Sequence, residues 1–140
     1  LCIRKFFPSY KILIKTHPRE DEKFLKKLIK DNNYENIEIT ELHSTILAKK
    51  AKMIVSFWTS AILDSLSLNV PSVEFYKEAK NFRVLEPDGS LYKVMGIDSV
   101  DNEKDLSKFI EKVIANKYSI PEIVYKFKRK RVLSIFHDNL

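Results

Sequence analysis

Short apolar runs of strand length alternate with segments of helical period along this chain, which predicts an α/β domain on a mainly parallel sheet. Three observations carry that expectation. The runs Lys11-Ile-Leu-Ile-Lys15 and Met53-Ile-Val-Ser56 are strand-length and break abruptly, one at His17-Pro18 and the other into hydroxyl residues. Between them lies a stripe at helical spacing, Phe24, Leu25, Leu28 and Ile29. Hydrophobic residues make up 44% of 140 residues, with nine Phe and six Tyr, enough for one packed domain rather than a disordered chain.

The elements follow in order. Residues 11–15 read as a strand that Pro18 prevents from continuing, and residues 20–32 as an amphipathic helix ended by Asn32-Asn33. A second strand is expected at 37–40, and a brief helix at 44–50 with Ile46 and Leu47 inward. Residues 53–56 are continuously apolar before Ser56, so this third strand is expected to be covered on both faces. A helix over 59–68 ends near Asn69, and a fourth strand spans 71–76. Residues 77–90 are polar and irregular, with a turn at Pro87-Asp88-Gly89. A short strand is expected at 91–95, then a helix over 101–116 with Leu106, Phe109, Ile110, Val113 and Ile114 at helical spacing and Ser99 or Asp101 as its cap. A terminal helical segment occupies 117–140, its apolar positions at Val124, Phe127, Val132 and Phe136.

Charge and composition exclude several classes. The net charge of +6 is concentrated in Lys126, Lys128, Arg129, Lys130 and Arg131, which reads first as a solvated helix face and second as a contact for an anionic membrane. No aromatic and glycine signature accompanies that cluster, so no nucleic acid partner is expected. With two glycines, the chain has no dinucleotide fingerprint, Walker loop or nucleophile elbow. The single Cys2 excludes an internal disulfide, and His43 and His137 lack ligand-spaced partners, so neither a metal nor a cofactor is expected. No apolar run reaches the roughly 18 residues of a membrane span.

Ligands of open α/β sheets bind at the carboxyl ends of the strands. Thr59 and Ser60 open a helix there, where hydroxyls, free backbone N–H groups and about half a positive charge converge on one place. Thr59 is equally suited to cap the helix. His17 is held in a turn by Pro18 and flanked by Lys15 and Arg19, a pattern suited to donating hydrogen bonds to an anion. Ser56 ends the third strand, Asp64 lies one turn beyond Ser60, and Glu74 and Tyr76 close the fourth strand, where a ribose or base is bound in nucleotide sites. The two strand–turn segments are expected to end side by side on one sheet, with His17, Thr59 and Ser60 bounding a single phosphate pocket.

The block from Ile54 to Tyr76 resembles the carboxyl-terminal half of GT-B transferases that build bacterial surface polymers. It has an apolar strand, a hydroxyl pair in Thr59-Ser60, an acidic residue at Asp64, and a Pro-x-x-x-Phe strand running from Pro71 to Phe75. His17-Pro18 matches the His-Pro motif of the CDP-glycerol glycerophosphotransferases and of the capsule, sialyl- and Kdo-transferases. The resemblance implies a Rossmann-like parallel sheet flanked by helices, one half of a GT-B fold. It implies that His17, Ser56, Thr59, Ser60, Lys15 and Arg19 face the donor phosphate, and that Glu74 and Tyr76 face the nucleoside. Pro18, Asp64 and Pro71 support the site. The donor it implies is CMP-, CDP- or UDP-linked, and the implied partner is an amino-terminal acceptor-binding domain in a longer protein at the inner face of the membrane. Two alternatives share the fold: an epimerase-like half domain, which normally carries a glycine-rich turn absent near Ser56–Ser60, and a non-catalytic α/β interaction domain whose hydroxyls are only caps.

Overall fold

The computed structural model describes residues 2–57, 59–76 and 89–126, and it is α/β with parallel strands flanked by helices, a Rossmann-like arrangement. The order is α1 (Cys2–Phe6), β1 (Ile12–Ile14), α2 (Glu22–Asp31), β2 (Ile37–Ile39), α3 (Ser44–Lys50), β3 (Ile54–Ser56), α4 (Ala61–Ser67), β4 (Ser72–Phe75), α5 (Leu91–Val94), β5 (Ser99–Val100) and α6 (Glu103–Ile114). A further helical stretch covers 122–126. The expected turn at Pro87-Asp88, the basic run from Lys128 to Arg131, and Phe127, Val132 and Phe136 lie outside the described residues. Among the described residues no helix is long and apolar enough to cross a membrane.

The strands form two parallel sheets where one was expected: β1–β2, and β3–β4–β5. The division follows the distribution of apolar burial. Neither β1, β2 nor α2 has a fully buried residue, and Leu13, Phe24 and Leu28 are left exposed. Phe24, expected to face inward, is 66% exposed, while Leu25 and Ile29 are the more covered side of α2. The core lies instead around the three-stranded sheet. Val73, Leu106, Phe109 and Ile110 form one cluster, joined by Ile3, Phe6, Met53, Val55, Phe75 and Val100. Ile62, Leu66, Tyr92, Ile97 and Val124 form the second. A segment with no buried side chain gains little to offset backbone ordering, so the β1–α2–β2 unit is the less stabilised part.

Other expectations are corrected locally. Residues 91–94 are helical, not a strand, because Ser90 caps them: its hydroxyl accepts the Lys93 N–H at 3.1 Å. Tyr92 and Met95 pack inward three residues apart while Leu91 and Val94 stay exposed, a helical period. The strand expected there is supplied by Ser99–Val100. Asn102, not Ser99 or Asp101, caps α6 by accepting the Asp105 N–H at 2.9 Å. Ile46 is 47% exposed, and Ala48 is the buried residue of α3. In β3 only Ser56 is buried, with Ile54 and Val55 half-buried.

Helix ends show how a chain so poor in glycine turns its corners. Asn33, Asn69 and Asn116 follow α2, α4 and α6 at φ +49°, +61° and +54°. Each joins paired closing bonds, as in Asn69 N–H to Leu66 O at 3.0 Å and Val70 N–H to Ser65 O at 3.1 Å. Asn tolerates the left-handed region better than other non-glycine residues. At the amino end, Arg4 ties α1 down by donating to the carbonyls of Pro8, Tyr10 and Glu35 at 3.1, 2.7 and 2.8 Å.

Asn69→Ala is expected to lower stability by about 1–2 kcal/mol, read as a reduced urea midpoint at unchanged slope. Asn69→Gly should be neutral or stabilising, and equal loss in both variants would refute the left-handed account.

Candidate functional site

The register of the three-stranded sheet decides which side chains meet. Ser56 of β3 is opposite Glu74 of β4, and Glu74 is opposite Ser99 of β5. In-register residues of parallel strands project to the same face, so Ser56, Glu74 and Ser99 form a polar row. Val55, Val73, Phe75 and Val100 go to the other face and join the core cluster that contains α6. The row sits at the carboxyl ends of β3 and β4.

Glu74 is fully buried. Its Oε2 accepts the Ser99 hydroxyl at 2.9 Å and also the Ser90 hydroxyl. The Ser90 oxygen in turn accepts the Lys93 N–H, so one hydroxyl both starts α5 and holds the carboxylate. Among the described residues, Glu74 Oε1 and Ser56 Oγ are buried and have no hydrogen-bond partner. Burial pushes the Tyr92 phenol up, and the Glu74 carboxylate adds to the rise.

The remaining predicted residues are placed as follows. His17 follows β1, exposed, in a tight turn: its N–H donates to Glu20 Oε2 at 2.7 Å, and its carbonyl accepts the Glu20 N–H at 2.9 Å. Its Nδ1 accepts the Arg19 N–H at 3.2 Å. A ring nitrogen that accepts carries no proton, which leaves Nε2 as the nitrogen of the ring that can donate. Pro18 and Arg19 are exposed in the same turn, and Lys15 Nζ lies 3.5 Å from the Glu41 carbonyl. Thr59 Oγ1 accepts the Ala61 N–H at 3.3 Å and thus closes the start of α4, whereas the exposed Ser60 hydroxyl makes no capping bond. Asp64 is exposed in the first turn of α4. The Pro71 carbonyl accepts the Ile54 N–H at 2.9 Å, opening the β3–β4 ladder, and Tyr76 N–H donates to Val100 O at 2.7 Å. His43 has a structural role, its Nδ1 accepting the Thr45 N–H to cap α3.

The structure therefore brings Ser56 and Glu74 together and adds Ser90 and Ser99, which sequence reasoning did not single out as site residues. Their signal was present in Ser72-Val-Glu74, polar at alternate positions of an otherwise apolar strand. His17, Lys15 and Arg19 belong to the β1–β2 half. Among the described residues, no hydrogen bond or ion pair links them to Ser56, Thr59 or Ser60.

Compared with known proteins, the chain matches no protein-family model, no curated protein and no solved structure.

On the apolar face, burial raises the Asp98 carboxyl, with Lys112 opposing. Burial pushes the Tyr118 phenol up to about 12, and the Asp98 charge adds to it. The Ser72 backbone opposes that rise without forming a hydrogen bond of normal geometry. A raised folded value means that the native state keeps its proton while the unfolded chain loses it. Stability is thus expected to fall as pH rises from 10 through about 12, and Tyr118→Phe should flatten that decline in alkaline denaturation curves.

Proposed function

We propose that this domain binds the nucleotide-activated donor of a transferase that builds a bacterial cell-surface polysaccharide or a teichoic-acid-like polymer. It would be the carboxyl-terminal half of a GT-B glycosyltransferase or glycerophosphotransferase. The observation that carries the reading is the pair of buried, unpartnered polar atoms, Ser56 Oγ and Glu74 Oε1, at the carboxyl ends of adjacent parallel strands. That edge is where α/β sheets hold nucleotides, and a buried polar atom without a partner is costly unless a ligand supplies one.

The roles divide by chemistry. Ser60 has an uncommitted hydroxyl at the start of α4, and His17 presents an Nε2–H donor. Both suit the donor phosphate, with Lys15 and Arg19 adding positive charge. Glu74 is an acceptor and suits the nucleoside end, beside Tyr76. The acceptor substrate and the catalytic base then belong to an amino-terminal partner domain, at the cytoplasmic face of the membrane.

CMP, CDP or UDP at about 100 times its dissociation constant is expected to stabilise the chain by about 2.7 kcal/mol, a rise of several degrees in a thermal melt. His17→Ala and Ser60→Ala should each diminish that rise while leaving the ligand-free melting temperature nearly unchanged, since both residues are exposed. The reading fails if none of the three nucleotides stabilises either this chain or a longer one that includes the preceding domain.

A further inference from the structure

We propose that the β1–α2–β2 unit is a flap that opens separately from the core, and that Arg4 is the latch holding it closed. Two units of unequal stability meet in this chain. β1 and β2 pair only with each other, and no strand of the other sheet joins their ladder. No residue of β1, α2 or β2 is fully buried, whereas Val73 of β4 and Leu106, Phe109 and Ile110 of α6 form one core cluster. A region with few buried apolar groups opens at a lower free energy than the molecule as a whole.

Arg4 joins the two. Its helix, α1, is seated on the core through Ile3 and Phe6, which pack against the α6 cluster. From there the guanidinium reaches the segments that lead into β1 and β2. Nη1 donates to the carbonyls of Phe7, Pro8 and Tyr10 at 3.4, 3.1 and 2.7 Å. Nη2 donates to Glu35 O at 2.8 Å and to Asn36 O at 3.3 Å. The Asn36 carbonyl also accepts the Ile12 N–H at 2.8 Å, so Arg4 holds the acceptor on which β1–β2 pairing begins. Among the described residues, no other hydrogen bond or ion pair links residues 11–40 to the core, apart from bonds where the chain itself enters and leaves the unit. A planar guanidinium fork can serve two segments at once, which a single ammonium does poorly. The bonds to Glu35 and Asn36 are exposed, and a cleft of about 290 Å³ lined by Arg4, Asn33, Tyr34, Glu35 and Ile37 lies beside them. Releasing the latch therefore trades carbonyl partners for water and uncovers no buried side chain of the unit. The turn bearing His17, Pro18 and Arg19 travels with the flap, while Ser56 and Ser60 stay with the core. Arg4 thereby governs how the two groups of residues meet without touching either.

The test is hydrogen exchange of the 140-residue chain, read by mass spectrometry on peptides from each unit across a urea series below the unfolding transition. In wild type, the amides of β1, α2 and β2 should share one protection level, about tenfold or more below that of β4 and α6. Arg4→Ala should speed exchange across residues 11–40 by about tenfold or more, the worth of a hydrogen bond from a charged group. Protection in β4 and α6 should stay as it was. Arg4→Lys keeps the charge and loses the fork, so it should recover only part of the difference. Equal wild-type protection in both units overturns the proposal, since the chain then opens as a whole. Variants that speed exchange equally in both units overturn it too, because Arg4 then supports global stability alone. Unchanged exchange across residues 11–40 in Arg4→Ala likewise rejects the latch. Should Arg4→Ala not fold, Arg4→Lys and the wild-type urea dependence decide. Opening of the flap should show a smaller urea slope than opening of β4 and α6, and equal slopes reject a separate flap. No nucleotide enters this test, so its outcome is independent of the donor reading.

Discussion

One carboxylate has to be seated away from water at the end of β4, and the three-stranded half of the protein is arranged around it. Burying such a group costs several kcal/mol unless hydrogen bonds or opposite charge offset the loss of hydration. Among the described residues no cation pairs with Glu74; two serines meet it instead. They arrive from the two segments that follow β4 in the described chain, so the start of α5 and the position of β5 are both tied to the same side chain. The ladder repeats the constraint in the backbone, where Glu74 N–H donates to Asp98 O at 2.9 Å. An apolar residue at position 74 would fill the volume without the desolvation penalty. The polar row is thus an expense in stability that packing alone does not call for.

The rest of the chain divides according to what it can bury. Val73, Leu106, Phe109 and Ile110 lie under the apolar face of β3–β4–β5 and fix that sheet against α6. The β1–α2–β2 unit has no comparable set, and its amphipathic helix leaves Phe24 and Leu28 in contact with solvent. The two candidate groups of site residues fall on opposite sides of this division. Ser56 and Glu74 are placed by a packed core, with little freedom, whereas His17 is placed by a local turn whose bonds are to Arg19 and Glu20. Local bonds orient the imidazole within its turn and leave the turn's distance from β3 to be set by weaker packing.

Much of this was legible in the sequence, and the parts that were not share a cause. Periodicity sufficed for α3, α6 and the parallel βα alternation, because a single pattern spans each element. It failed at 91–95, where five residues are too few for a period to be read and the Ser90 cap decides the outcome. It failed for the sheet as a whole, since continuity between β1 and β3 depends on burial that no single strand reveals. In the site, the alternation of Ser72 and Glu74 in an apolar strand was visible, but pairing with Ser99 requires the register of a strand only two residues long. Long-range polar partners of this kind are a property of the assembled sheet.

The hydroxyl pair Thr59-Ser60 shows how such a division of labour is resolved at a single position. As a sequence pattern both hydroxyls are placed to meet a phosphate, and Thr59 is equally suited to cap the helix. In the structure Thr59 Oγ1 is committed to the Ala61 N–H and Ser60 Oγ is not. Capping therefore falls to Thr59 alone and leaves the Ser60 hydroxyl uncommitted. His17 follows the same logic: its Nδ1 closes the turn, and only the opposite edge of the ring remains for a ligand. With Nδ1 accepting, Nε2 is the nitrogen of the ring that can donate. A group whose basic nitrogen is occupied by its own backbone is poorly suited to be a general base.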